Sequence, residues 1–302
     1  MSFADPQACQ SCGSIVCYVD DCTYGKGDKD PEALSEKLTE QYNVISDYMA
    51  ANHLVINADK THLVVMGTKK TAAKRNQVVL QAGPHTVVPT RSEKLLGANI
   101  CEDLKWKEHL LSNDQSLVRQ LTSRINGLSI VCSRATFRTR LQVANGIFIS
   151  KLCYLIQLWG GSAYYLLNAL QILQNRAARA VTRKSWFTPV RRLLADCKWL
   201  SVKQLVFFHS VLTTHKIVTT GAPLYLHNVM STSHPLPTRQ AAAGEIRLAE
   251  GFSSNQGVLR DSFRYMGAHN YNSIPASIRS VKNMSTFKLK LKKWVATNIP
   301  ID

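Results

Sequence analysis

The sequence predicts an α+β fold: a β-hairpin, one helix and antiparallel strands in the first hundred residues, then a mainly helical region. Three observations carry that expectation. Short runs rich in Val, Ile and Tyr, broken by Asp, Asn and Gly, recur up to Ile100. From Leu117 onward, longer segments carry apolar residues three and four apart. Charge divides at the same place, since residues 1–100 hold 10 Lys/Arg and 11 Asp/Glu whereas residues 101–302 hold 27 and 9.

Ser14-Ile15-Val16-Cys17-Tyr18-Val19 reads as a strand, Asp20-Asp21 as a tight turn, and Cys22-Thr23-Tyr24 as the returning strand. Asp30-Pro31-Glu32 starts a helix, with Pro in the first turn and an acid facing the N-terminal dipole. Leu34, Leu38, Tyr42, Ile45 and Met49 keep helical spacing to about Asn52. Leu54–Asn57 and His62–Gly67 read as strands around the turn Ala58-Asp59-Lys60-Thr61. Val78–Leu80 and Thr86–Val88 read as a strand pair about Ala82-Gly83-Pro84, and Leu95–Ile100 as one further strand. Helices are expected over Leu117–Leu128, Phe137–Leu158, Ala163–Val181, Val202–Val218 and from Ser285 to Val295, with a Ser/Thr/Pro/Ala/Gly-rich loop near 228–257. The expected division is a tail over 1–12, an α+β unit over 13–101, a basic helical region over 102–184 and a mainly helical region over 185–302.

The net charge of +17 is concentrated, with no acidic residue between Asp114 and Asp196 while basic residues recur from Arg119 to Arg192. Such one-sided charge points to a polyanionic partner, nucleic acid before anionic membrane. A solvated basic surface is the plainer alternative. Met1-Ser2-Phe3-Ala4-Asp5-Pro6 has no secretory pattern and the apolar run from Gly146 to Gly161 is too short to span a bilayer. An intracellular protein, nuclear or cytoplasmic and not secreted, is therefore expected, with cysteines as free thiols. Cys9, Cys12, Cys17 and Cys22 also have the spacing of a zinc knuckle with Cys in the His position, so a tetrahedral zinc is an alternative reading of the N-terminal segment.

Two adjacent carboxylates at a hairpin tip suit Mg²⁺, which binds few carboxylates together with waters and phosphates. Two such ions would support in-line phosphoryl transfer. Tyr18-Val19-Asp20-Asp21, a helix, Leu54-Val55-Ile56-Asn57-Ala58-Asp59-Lys60-Thr61 and Leu95-Leu96-Gly97, in that order, resemble the later palm motifs of reverse transcriptases, nearest to non-LTR (LINE-type, jockey-like) retrotransposons. The likeness continues through Leu104-Lys105-Trp106-Lys107-Glu108-His109, Leu170-Gln171-Ile172-Leu173-Gln174-Asn175-Arg176-Ala177-Ala178-Arg179, Trp199-Leu200-Ser201-Val202, Ala222-Pro223-Leu224-Tyr225-Leu226, Asn272-Ser273-Ile274-Pro275 and Phe287-Lys288. It covers residue 13 to the C-terminus and implies a partial palm followed by a helical thumb.

The resemblance further implies roles for individual residues. Asp20 and Asp21 would be the metal-site carboxylates, Asp20 the direct ligand. Tyr18 would lie beneath the incoming nucleotide or primer end, and Gly97 would help seat the primer. Lys60 would sit near the triphosphate, neutralising developing charge or protonating pyrophosphate. Arg119, Arg124, Arg176, Arg179 and Arg183 would contact phosphates, and the spacing of the last three predicts one helical stripe. The implied activity is RNA-directed DNA synthesis on an RNA template and DNA primer with two Mg²⁺, with the RNA of the chain's own element as a further partner. A two-metal site needs another carboxylate from an earlier strand, and only Asp5 precedes Asp20. The chain is thus expected to correspond to the C-terminal part of such a polymerase, without fingers and inactive alone. A non-catalytic nucleic-acid-binding remnant is the alternative.

Overall fold

The computed structural model describes residues 15–18, 21–67, 71–230, 245–246 and 261–301. They form two compact units, one up to Lys105 and one from Trp106. This boundary falls four residues beyond the division expected at 101.

In the first unit, β1 (Ile15–Tyr18) and β2 (Asp21–Tyr24) pair antiparallel, with Cys17 opposite Cys22 and Tyr18 opposite Asp21. Helix α1 (Pro31–Ala51) starts at Asp30, whose carboxylate accepts from Ala33 N at 3.0 Å, with Pro31 preset for the first turn. The buried side of α1 presents Leu38 and Tyr42, which pack with Leu63, Val78, Leu80 and Ala82. Two further hairpins follow, β3 (Leu80–Ala82) with β4 (His85–Val87), and β5 (Ser92–Leu95) with β6 (Ala98–Cys101). Along β3 and the residue before it, hydroxyls of α1 take backbone amides: Val79 N donates to Ser35 Oγ at 3.1 Å and Gln81 N to Thr39 Oγ1 at 3.2 Å. Helix side chains thereby satisfy donors that another strand would otherwise accept from. A short helix, α2 (Ala72–Arg75), carries Arg75, which is buried and reaches Gly67 O at 2.5 Å and Glu102 Oε1 at 3.1 Å.

Two strand expectations fail here. Leu54–Asn57 and His62–Gly67 form no hairpin. Residues Ala58–Lys60 make a 3₁₀ turn capped by Asn57 Oδ1, and Leu63 contributes an isolated parallel bridge to Pro89. Asx and Thr side chains bonding the nearby backbone outcompete strand pairing when no partner strand lies alongside, and Val55 is 96% exposed. Leu95–Ile100 is two strands, not one. Leu96 (φ 46°) and Gly97 (φ 83°) turn the chain back, the doubly positive geometry that suits a two-residue hairpin. Leu96 concealed that turn, because a leucine in an apolar run reads as strand.

The second unit is helical around one continuous core. Helices α3 (Leu117–Cys132) and α4 (Phe137–Ala144) pack with α7 (Tyr164–Thr182), and α8 (Val190–Cys197) lies against α7. The helix expected over Phe137–Leu158 is interrupted. After α4 comes a π-helical segment, Asn145–Ile149, then α5 (Ser150–Cys153), a left-handed Leu155 at φ 56° and α6 (Ile156–Trp159). The break lets the fully buried Trp159 donate its indole N–H to Tyr154 O at 3.0 Å. Helix α9 (Val202–Thr220) opens on a capping box, Ser201 with Gln204, and contacts the Phe263–Ser273 and Met284–Asn298 helices. Among the described residues of the second unit, four α-helices escaped the sequence reading: α8, α10 (Leu224–Val229), Phe263–Ser273 and Ala276–Arg279. All but Phe263–Ser273 start directly after a proline, a start signal that their shortness masked. Most of the expected 228–257 loop, and the tail over 1–12, lie outside the described residues; Ile246 within that loop is buried.

Candidate functional site

The Tyr18–Asp21 hairpin packs through one face alone. Ile15 and Tyr24 oppose each other, and Tyr24 borders the small core and donates its hydroxyl to Leu38 O at 3.2 Å. Burial raises the Tyr24 phenol to about 12, with Tyr42 adding to it. The other face carries Val16, Tyr18, Asp21 and Thr23, with Tyr18 62% exposed and Asp21 in solvent. A period of two therefore sends the motif tyrosine and carboxylate to the open side. Asp20 lies outside the described residues.

Cys17 and Cys22 oppose each other across the strands, with Sγ atoms 2.9 Å apart, as thiols. Desolvation, and then the Cys17 thiol beside it, push Cys22 up to about 12. Cys9 and Cys12, the other two members of the zinc spacing, lie outside the described residues. Among the described residues no three His, Cys, Asp or Glu side chains gather as a metal site. Asp21 is thus a single carboxylate without companions among the described residues, and the donors described do not make up a two-ion centre.

Lys60 is exposed on the 3₁₀ turn. Asn57 Oδ1 accepts from Asp59 N at 3.0 Å and Thr61 Oγ1 donates to Asn57 O at 3.1 Å, so Asn57 and Thr61 brace the turn while Lys60 projects from it. The turn borders an open cleft of about 420 Å³ lined in part by Tyr42, Asn57, Asp59, Gly83 and His85. Gly97 occupies the β5–β6 turn rather than a strand.

The five arginines separate into different tasks. Arg119 is exposed and pairs with Asp114 at 2.5 Å. Arg124 donates to Ile147 O at 2.6 Å, tying α3 to the π-helical segment, so it serves packing. The predicted stripe on α7 does not persist: Arg183 is the left-handed cap beyond the helix and donates to Ser133 O, while Arg179 stacks on Trp186 at 4.6 Å. Arg176 alone of the three stands exposed on the helix, without an ion pair among the described residues.

Other segments of the resemblance have structural tasks. Gln174 is fully buried and donates to Leu200 O at 2.9 Å; Gln171 accepts from Val202 N at 2.8 Å. Together they hold the turn between α8 and α9. Trp199 stacks on Phe148 and donates to Asn145 Oδ1 at 2.8 Å. Asn272 brackets Ile246, accepting from its N–H at 2.9 Å and donating to its carbonyl at 2.8 Å. Phe287 is buried against the ring of His215 at 3.6 Å.

The chain is 23% identical over 164 residues to the RNA-directed DNA polymerase from mobile element jockey of Drosophila funebris. It is distantly similar to a retrotransposon reverse transcriptase. The match takes in 54% of this chain and 17% of that polymerase's length. No protein-family model matches, and no solved structure matches. Among the described residues no helix is long and apolar enough to cross a membrane. Sequence reasoning passed over Trp186 and Phe187, whose signal was an aromatic pair between Lys184 and Pro189 in a strongly basic stretch.

Proposed function

We propose that this chain is the rear palm and thumb portion of a non-LTR retrotransposon reverse transcriptase. In this reading it engages RNA template and DNA primer, with its own element RNA as a natural ligand, inside the cell, in nucleus or cytoplasm. The observation that carries the reading is the hairpin of β1 and β2: Tyr18 and Asp21 face each other on its open side, and α1 and the braced Lys60 turn follow in order. The distant similarity to the jockey polymerase supports the same family.

Asp20 and Asp21 would contribute half of a two-Mg²⁺ site, the remainder requiring a carboxylate that the first nineteen residues supply only as Asp5. Bound Mg²⁺ would polarise phosphoryl oxygens and activate a primer hydroxyl. What these residues themselves contribute is an acceptor at Asp21, a cation at Lys60 and a basic helical surface for phosphates. The 302 residues alone are accordingly expected to bind primer–template without extending it.

Purified protein should bind an RNA–DNA hybrid with affinity that falls steeply as salt rises, because phosphate neutralisation releases counterions. With Mg²⁺ and dNTPs it should leave the primer unextended, and Asp21→Asn should leave affinity unchanged. Primer extension would overturn the half-site reading. Binding that is absent or indifferent to salt would overturn the nucleic-acid reading.

A further inference from the structure

The segment joining α7 to α8 has an unusual surface. Thr188 N donates to Ser185 O at 3.0 Å, closing a turn whose two central residues are Trp186 and Phe187. They are 72% and 91% exposed. Large aromatic side chains supply most of the apolar area in cores and interfaces, so an adjacent pair held out in water calls for a partner.

The turn is built, not merely left over. Arg179 lies over the Trp186 ring and donates to its carbonyl at 3.3 Å, fixing the indole. Arg183 ties the segment to Ser133 O, next to the exposed Arg134. Lys184 pairs with Asp196 at 2.5 Å, neutralising the nearest carboxylate in sequence. Arg191 and Arg192 are exposed in the first turn of α8, where the helix dipole disfavours positive charge and Pro189 offers no side-chain cap. Two arginines at that end gain a favourable setting when an anion approaches.

Exposed π-faces beside Arg191 and Arg192, which form no ion pair among the described residues, match the chemistry of single-stranded nucleic acid, where bases stack and phosphates pair. The geometry points to Trp186 and Phe187 as a stacking platform for unpaired bases, with Arg191 and Arg192 receiving the adjoining phosphates. This inference rests on the nucleic-acid reading above and adds to it a site specific for unpaired strands.

The test compares wild type, Trp186→Ala/Phe187→Ala, Phe187→Ala alone and Arg191→Glu/Arg192→Glu by fluorescence anisotropy. Probes are oligothymidylate of about 20 nucleotides, a duplex of equal length, and heparin, which has charge but no bases. The double aromatic variant should bind the single strand about 10–100-fold more weakly and Phe187→Ala about 5–10-fold more weakly, with duplex and heparin binding within about 3-fold of wild type and the salt slope unchanged. Arg191→Glu/Arg192→Glu should lower the salt slope on every probe by about 1–2. Thermal melting should match wild type for Phe187→Ala, whose side chain is nearly all in solvent. Unchanged single-strand binding, or equal losses on duplex and heparin, would overturn the platform while leaving general binding intact. Wild type that binds no nucleic acid would overturn both readings.

Discussion

The two units solve the same problem with unequal means. The first gathers Leu38, Tyr42, Leu63, Val78, Leu80 and Ala82 around one long helix, and its described strands form three separate two-stranded hairpins. The second runs an unbroken core from Leu110 to Val295, with Phe148, Trp159 and Phe287 fully buried. Hairpins of two strands have little independent stability, so the first unit depends on α1 and on polar ties such as Arg75 with Gly67 and Glu102. The residues proposed for chemistry lie mostly on the lightly packed unit and in solvent. The residues proposed for binding lie on the heavily packed one. A surface that must meet a reacting centre gains from few packing obligations, whereas a polyanion contact gains from a rigid base.

All five tryptophans belong to the second unit, so their fluorescence follows that unit by itself. Trp159→Ala should have the largest effect, about 3–5 kcal/mol, because it opens a cavity and leaves Tyr154 O without its donor. In urea the remaining tryptophans should report an earlier midpoint while part of the far-ultraviolet helix signal, that of α1, melts unchanged. A single shared transition would break the comparison. Gln174→Leu should cost less, about 1–3 kcal/mol, by burying an unpaired Leu200 carbonyl; a loss below about 0.5 kcal/mol would mean that the turn between α8 and α9 needs no such tie.

Acid should weaken the second unit next. Burial, helped by Lys151, pushes His109 down to about 4, and burial also lowers His209 and His215. The folded protein thus resists protonation of these rings, while the unfolded chain takes up protons near 6.5. Stability is therefore fully present above about 6.5 and declines as pH falls toward about 4, by about 1–2 kcal/mol at pH 5 from His109. Urea midpoints at pH 7 and pH 5 read this directly, and His109→Gln should flatten the slope. The smallest effect belongs to Asp21→Asn and Lys60→Ala, each expected within about 0.5 kcal/mol of wild type, because neither side chain is packed. A larger loss would mean that these residues serve the fold.

What turn chemistry fixes locally was legible. Asp30-Pro31-Glu32 announced α1, whereas Asp21, expected in the turn, opens β2 as the partner of Tyr18. Other residues were legible only as a set. Gln171, Gln174, Trp199 and Asn272 belong to the segments that carry the resemblance, yet their partners Val202, Leu200, Asn145 and Ile246 are supplied by folding across tens of residues. The arginine stripe failed for a related reason: spacing of three and four holds only while the helix continues, and α7 ends before Arg183.

By itself the sequence determined what short-range physics controls: the first hairpin, α1, the division of charge and the order of motifs that resembles a reverse transcriptase. Backbone turns and helix starts are set by the few residues that form them. The tertiary structure decided which apolar runs find partners, where the Phe137–Leu158 helix breaks, and which arginines brace helices rather than face solvent. Those outcomes depend on neighbours distant in the chain, because strand pairing, core packing and burial of a guanidinium are properties of a site assembled from several segments at once.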